Sequence, residues 1–296
     1  MKTFPTLLLV SAFAHAATTI DPANPNAYGA NVGWVNARGD VSNGAVVGEF
    51  ICSGSIYSAN CGWIHLGSGA PANGIRYQNS TATDFGVNTQ DYVANGVTFE
   101  AKLRGYAYGA NIGWVNFESN GNPRVDLSTG RLLGFAYSAN VGWIALSGTG
   151  VTLATTSIAA GTDSDGDGIP DAWERSFAGN ITTLGAGTDR DRDGVSDVNE
   201  YAADTHPLDP SDRLQITLLM PPRQLVANGP FLTDLGWTSK PSRKYAIETN
   251  PDLLSLWDAP LTGIIPSSGA ATTLRFTDIQ AGKRFYRVRA KLPLSP

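Results

Sequence analysis

The sequence predicts a mainly β protein in three parts: a β-hairpin repeat domain, a small acidic loop segment with short helices, and a C-terminal antiparallel β-sandwich. Three observations predict it. A nine-residue motif occurs four times in the first half of the 296 residues, two twelve-residue acidic loops follow, and the last third breaks into short strands of alternating polarity. The 33 Gly and 17 Pro suit a turn-rich β chain.

Residues 1–16 read as a secretory signal peptide. Lys2 precedes an apolar run from Leu7 to Phe13, and Ala14-His15-Ala16 precedes the expected cleavage before Ala17. That run is too short to span a bilayer, and no other segment approaches the roughly 20 apolar residues a spanning helix needs. The expectation is a protein secreted or held at the cell surface, with no transmembrane segment in the mature chain. A net charge of -5 offers no basic patch for nucleic acid.

The repeat domain is expected over residues 17–152. Ala27-Tyr28-Gly29-Ala30-Asn31-Val32-Gly33-Trp34-Val35 returns from Ile56, Ala107 and Ala136, and the Trp residues at 34, 63, 114 and 143 step by 29, 51 and 29. Two copies therefore form a larger unit repeated after 80 residues. Each copy reads as a strand, a bend at Ala-Asn-x-Gly where positive φ is tolerated, and a second strand carrying Trp. One hairpin is marginal in water, so the copies should pack on one another. The repeated Trp and Tyr are expected in the core; the alternative is that Tyr28, Tyr57, Tyr108 and Tyr137 stack on sugar rings or a partner.

Cys61 takes the place of Ile112 and Val141 in sister copies, and Cys52 that of Leu103 and Leu132. An apolar pair replaced by two Cys in a secreted chain suggests adjacent positions on neighbouring strands and a Cys52–Cys61 disulfide. In the loop-entropy description such a bridge stabilises by about 2 to 3 kcal/mol.

Residues 153–160, rich in small side chains, read as a linker to the acidic segment at 161–212. Of the 26 acidic residues, 13 lie between Asp163 and Asp212. Such a density repels itself unless a cation neutralises it. A calcium loop wants oxygen ligands at positions 1, 3, 5, 7, 9 and 12 with Gly at 6. Asp163, Asp165, Asp167, the Ile169 carbonyl, Asp171 and Glu174 fill these places around Gly168. Asp189, Asp191, Asp193, the Val195 carbonyl, Asp197 and Glu200 repeat the scheme around Gly194. Two calcium ions are expected, since hard carboxylate oxygens in this number exclude zinc, and a bidentate Glu at position 12 suits calcium over magnesium. Short helices after each loop should share a small core through Ile169, Trp173 and Phe177 with Val198 and Tyr201.

From 213 to 296, short strands over 214–219, 232–238, 245–249, 273–277 and 285–288 suggest an antiparallel sandwich with Trp237 and Trp257 in its core.

The first motif resembles Ala-Tyr/Trp-Ser-x-Asn-x-Gly-Trp repeats of secreted bacterial multidomain proteins. The acidic segment resembles thrombospondin type 3 and EF-hand-like repeats, and Tyr245–Glu248 with Arg284–Arg289 resembles the fibronectin- or immunoglobulin-like modules that follow such repeats. The resemblance implies extracellular architecture. Only His65 and His206 remain after cleavage, and neither a nucleophile elbow nor a His-Glu-x-x-His helix occurs, so no enzyme is expected. The expected role is structural or adhesive, calcium stiffening the connection between the flanking domains. The alternative is carbohydrate binding through exposed aromatics; the partners would be surface polysaccharide or another matrix protein.

Overall fold

The computed structural model describes residues 18–295 except 41, 226–228, 259 and 279–283; the signal peptide reading at 1–16 lies outside the described residues. Among the described residues the first half holds fourteen strands. Each motif copy is a hairpin: β1 (Ile20–Gly29) with β2 (Gly33–Asn36), then, past β3 (Val46–Val47), β4 (Cys52–Ser58) with β5 (Gly62–Gly67). After β6 (Val87–Ala94), β7 (Phe99–Gly109) pairs with β8 (Gly113–Asn116). β9 (Arg124–Asp126) and β10 (Arg131–Leu133) lead to the fourth hairpin, β11 (Phe135–Ser138) with β12 (Gly142–Ala145). β13 (Ser147–Gly148) and β14 (Val151–Thr155) end the series.

Neighbouring hairpins pair through β2–β4, β5–β7 and β8–β11, and β12 returns to β1, closing an eight-stranded antiparallel barrel. Each Tyr faces its own Trp across the hairpin. On its other side it faces the residue two beyond the preceding Trp: Asn36 for Tyr57, His65 for Tyr108, Asn116 for Tyr137, Ala145 for Tyr28. Four such steps make a shear of eight, at which an eight-stranded interior is just wide enough for side chains to fill. Ala27, Val35, Ile64, Ala107, Val115, Ala136 and Ile144 fill it, with Ile56 packed against them. The longer strands β1 and β7 run on into a second tier, where β14, β10, β9 and β6 extend the sheet around Leu103, Val125, Leu132 and Leu153.

A ring of hydrogen bonds ties the four bends together. The Asn31 amide donates to the Val141 carbonyl at 3.0 Å, Asn60 to Val32, Asn111 to Cys61 and Asn140 to Ile112, each at 3.1 Å. Every copy thus grips the one before it, and the last is gripped by the first. The Gly that follows each of these carbonyl residues takes φ between 68° and 79°, a conformation only Gly adopts freely.

Three expectations are corrected here. Cys52 and Cys61 are free, buried thiols. Their equivalence to sister apolar pairs holds, but Cys61 sits at the bend and Cys52 six residues before the end of β4, roughly 20 Å away by strand rise. A disulfide needs Cα atoms within about 7 Å. The stretch 153–160 is no linker: Leu153, Ala154 and Thr155 belong to β14, Ile158 is in the barrel core, and the Ala159 carbonyl accepts the Glu49 amide at 2.8 Å. The repeated Trp and Tyr lie outside, because alternation sends Ala, Val and Ile inward and a barrel this narrow has no room for Trp. Trp34, Trp63, Trp114 and Trp143 are 43 to 54% exposed.

Helices α1 (Asp171–Ala178) and α2 (Asp197–Ala203) follow the acidic loops. Their own small core comprises Ile169, Trp173, Leu184 and Tyr201, with Phe177 and Val198 against it. The remaining strands form two three-stranded antiparallel sheets. In one, β16 (Phe231–Thr238) is flanked by β15 (Ile216–Gln224) and β19 (Ala271–Asp278). In the other, β17 (Lys244–Asn250) is flanked by β18 (Ile265–Pro266) and β20 (Phe285–Lys291). Leu235, Trp237 and Phe276 from one sheet and Tyr245 and Ile247 from the other make a single core. Trp257 is only half buried, beneath the Arg287 guanidinium at 4.4 Å.

Candidate metal centre

Each acidic loop is folded by its own carboxylates. Asp163 accepts the amides of Gly166 and Gly168 at 2.8 and 2.9 Å, and Asp167 that of Ile169 at 2.9 Å. In the second loop Asp189 accepts Gly194 at 3.0 Å and Asp193 accepts Val195 at 2.7 Å. The sixth-position glycines, Gly168 and Gly194, take φ of 92° and 94°, as the sharp turn requires. Ile169 then buries its side chain in the core shared by the helices, fixing the loop on α1.

The turns bring the odd-numbered carboxylates together. Oxygens of Asp163, Asp165 and Asp167 lie within 4.8 Å of one another, as do those of Asp189, Asp191 and Asp193. The twelfth residues complete the picture from the helices. Glu174 and Glu200 are fully buried, and neither oxygen of Glu174 meets a hydrogen-bond donor among the described residues. The second site leaves Asp189 Oδ1, Asp191 Oδ2, Asp193 Oδ2 and Glu200 Oε2 equally without one. Among the described residues Glu200 Oε1 has only Thr205 Oγ1, at 3.4 Å. A buried, unpaired carboxylate oxygen is costly.

Burial, reinforced by Asp167, Asp165, Asp171 and Asp163, raises the Glu174 pKa to about 7. Burial, with Asp191 and Asp193, raises Glu200 to about 8. The self-repulsion expected from composition thus falls on the two groups that a cation would neutralise.

Asp171 and Asp197, the ninth residues, are hydrogen-bonded to the loops themselves. Asp171 opens α1, and its two oxygens accept the backbone amide and hydroxyl of Ser164, both at 2.7 Å. Asp197 accepts the amides of Arg190 at 3.0 Å and Gly185 at 3.1 Å and the hydroxyl of Thr188. Each braces the second residue of its loop against the helix. Spacing alone does not separate this bracing from ligation, because both need an oxygen at that position.

Hard oxygen donors, odd-numbered clustering and an orphaned buried carboxylate at the twelfth position fit a calcium ion at each loop. Arg213 approaches the second cluster, 3.9 Å from Asp193 Oδ2, and bonds the Asp193 carbonyl at 3.2 Å. That contact links the site to the start of the C-terminal sheets.

No protein-family model, curated protein or solved structure matches the chain.

Proposed function

We propose that the chain is a secreted calcium-binding structural protein in which two ions order the hub between the repeat barrel and a C-terminal β-sandwich. The observation that carries this reading is Glu174, fully buried with both oxygens unpartnered and facing three clustered carboxylates. An ion that binds only the folded hub stabilises it by mass action. The paired ions hold α1 and α2 against each other through Trp173 and Tyr201, whose rings stand 5.7 Å apart. Chelation is expected to raise amide hydrogen exchange across 161–212 while the barrel keeps its protection. Unchanged exchange in the hub would contradict the reading.

A second reading, carbohydrate binding, is supported by the exposed aromatics. Four Tyr–Trp pairs, with ring centroids 4.9 to 5.1 Å apart, stand on the outer surface of the barrel. Exposed aromatic faces are the usual platforms for sugar rings, and a purely structural barrel does not need them. The two readings are compatible: the barrel holds the ligand and the calcium hub holds the barrel.

A further inference from the structure

The four hairpins share a motif but not their surroundings, and the second differs from the third and fourth beside its Trp. The residue before each motif lies across the hairpin from the residue two beyond its Trp. These pairs are Asn26 with Asn36, Ser55 with His65, Tyr106 with Asn116 and Phe135 with Ala145. In the third and fourth copies the large member crowds the Trp. Tyr106 and Phe85 stand 6.2 and 5.0 Å from Trp114, and Phe135 stands 6.2 Å from Trp143. In the second copy the position is Ser55, and the strand bulges between Gly54 and Ser55.

The space so opened is a groove of about 530 Å³. Trp63 and His65 form one wall, and Ser53, Ser55 and Ser68 line it further. Asp40, Ser42, Asn43 and Gly44 line the groove as well, held there because the Ser55 amide donates to the Asn43 carbonyl at 2.8 Å and Gly44 bridges to Ser55. Ser55 Oγ and His65 Nδ1 are 2.8 Å apart, which fixes the imidazole plane. The volume lies in the range of small-ligand sites.

We infer that this groove is the saccharide-binding subsite of the barrel and that it takes a neutral sugar. The inference rests on the carbohydrate reading above and places it at one hairpin of four. The Trp63 face offers the apolar platform for the C–H side of a pyranose ring. Serine hydroxyls, the imidazole and the Asp40 carboxylate offer the donors and acceptors that pair with sugar hydroxyls. Charge selects against anionic ligands. Asp40 is kept ionised by hydrogen bonds from the Asn43 side chain and the Ser42 and Asn43 amides, and no Lys or Arg lines the groove among the described residues. A phosphorylated or uronic-acid sugar would meet a carboxylate with no cation to offset it.

The test is native affinity electrophoresis of the chain from Ala17, with calcium at about 1 mM, in gels containing soluble starch, xylan, hydroxyethylcellulose or polygalacturonate. Retardation by a neutral polymer and none by polygalacturonate is expected. Trp63→Ala should weaken the retardation roughly tenfold or more, as loss of one stacking platform implies. Ser55→Phe, which installs the side chain the fourth copy carries at this position, should do the same while circular dichroism and Tm stay those of the wild type. Should Ser55→Phe not fold, His65→Ala takes its place with the same expectation. Retardation by a neutral polymer that survives these substitutions would overturn the groove and leave the aromatic surface as the binding face. No retardation of the wild type by any neutral polymer would overturn the groove and the carbohydrate reading together.

Discussion

Glu49 and Arg243, 194 residues apart in sequence, form an ion pair at 2.7 Å with both side chains buried. Arg243 also donates to the Tyr201 carbonyl at 2.8 Å and the Ala202 carbonyl at 3.0 Å, while the Tyr201 hydroxyl donates to Glu49 at 3.1 Å. Barrel, acidic-loop segment and C-terminal sheets therefore meet at one guanidinium. Each group is satisfied only while all three parts are docked.

Removing one partner strands the other charge. Glu49→Gln is expected to destabilise by about 3 to 5 kcal/mol, the range for breaking a buried pair. The paired replacement Glu49→Leu with Arg243→Met should recover part of that loss. Thermal unfolding of the two variants, compared with wild type, checks both statements.

The ring of asparagines makes a graded prediction. Each amide donates to the carbonyl of the preceding copy in nearly the same geometry. Asn111→Ala should cost about 0.5 to 1.5 kcal/mol, the usual net value of one hydrogen bond. Gly113→Ala, at φ of 68°, should cost about 1 to 2 kcal/mol from the left-handed backbone alone. Denaturant midpoints with unchanged slope would verify both.

The two cysteines should titrate as free thiols after denaturation without reductant, and as unreactive ones in the folded protein at pH 8. Burial pushes the Cys52 thiol up to about 11, and its Sγ lies 3.8 Å from Thr89 Oγ1. Mass spectrometry after alkylation, with and without denaturant, reads both outcomes.

Much of this molecule is legible in its sequence. The strands expected at 232–238, 245–249, 273–277 and 285–288 fall within β16, β17, β19 and β20, because period-2 alternation and turn residues mark them independently of their partners. The acidic loops were equally readable, since spacing alone places Asp163, Asp165 and Asp167 on one side of a turn. Alternation also shows that Tyr28 and Trp34 share a face opposite Ala27 and Val35. It does not show which face is inside; that follows only from closure into a narrow barrel, which small inward residues permit and Trp would prevent. The Asn of each bend was readable as a turn former, but its donor role reaches a neighbouring copy. The Glu49–Arg243 pair leaves no local signal at all.

The carboxylate pKa values set a pH dependence. In the calcium-free protein Glu174 and Glu200 are raised to about 7 and about 8, so each favours folding fully only below the unfolded value near 4.3 and withdraws that contribution as pH rises through its folded value. The chelated hub should therefore lose stability between about pH 4.3 and 8. Calcium must displace these protons at lower pH, so its affinity should fall from pH 8 to pH 6 with proton release. Titrations in buffers of different ionisation enthalpy would detect the released protons; pH-independent affinity without release would refute the assignment of Glu174 and Glu200 as ligands.

Calcium ligation at the two loops is read by calorimetric calcium titration of the chelator-stripped chain from Ala17, alongside Glu174→Gln and Glu200→Gln. Two ions bound by the wild type, with one lost in each variant, are predicted at calcium concentrations of about 0.1 to 1 mM. No heat of binding up to several times that range would contradict the account, leaving both loops as acidic turns and the hub to hold without ions.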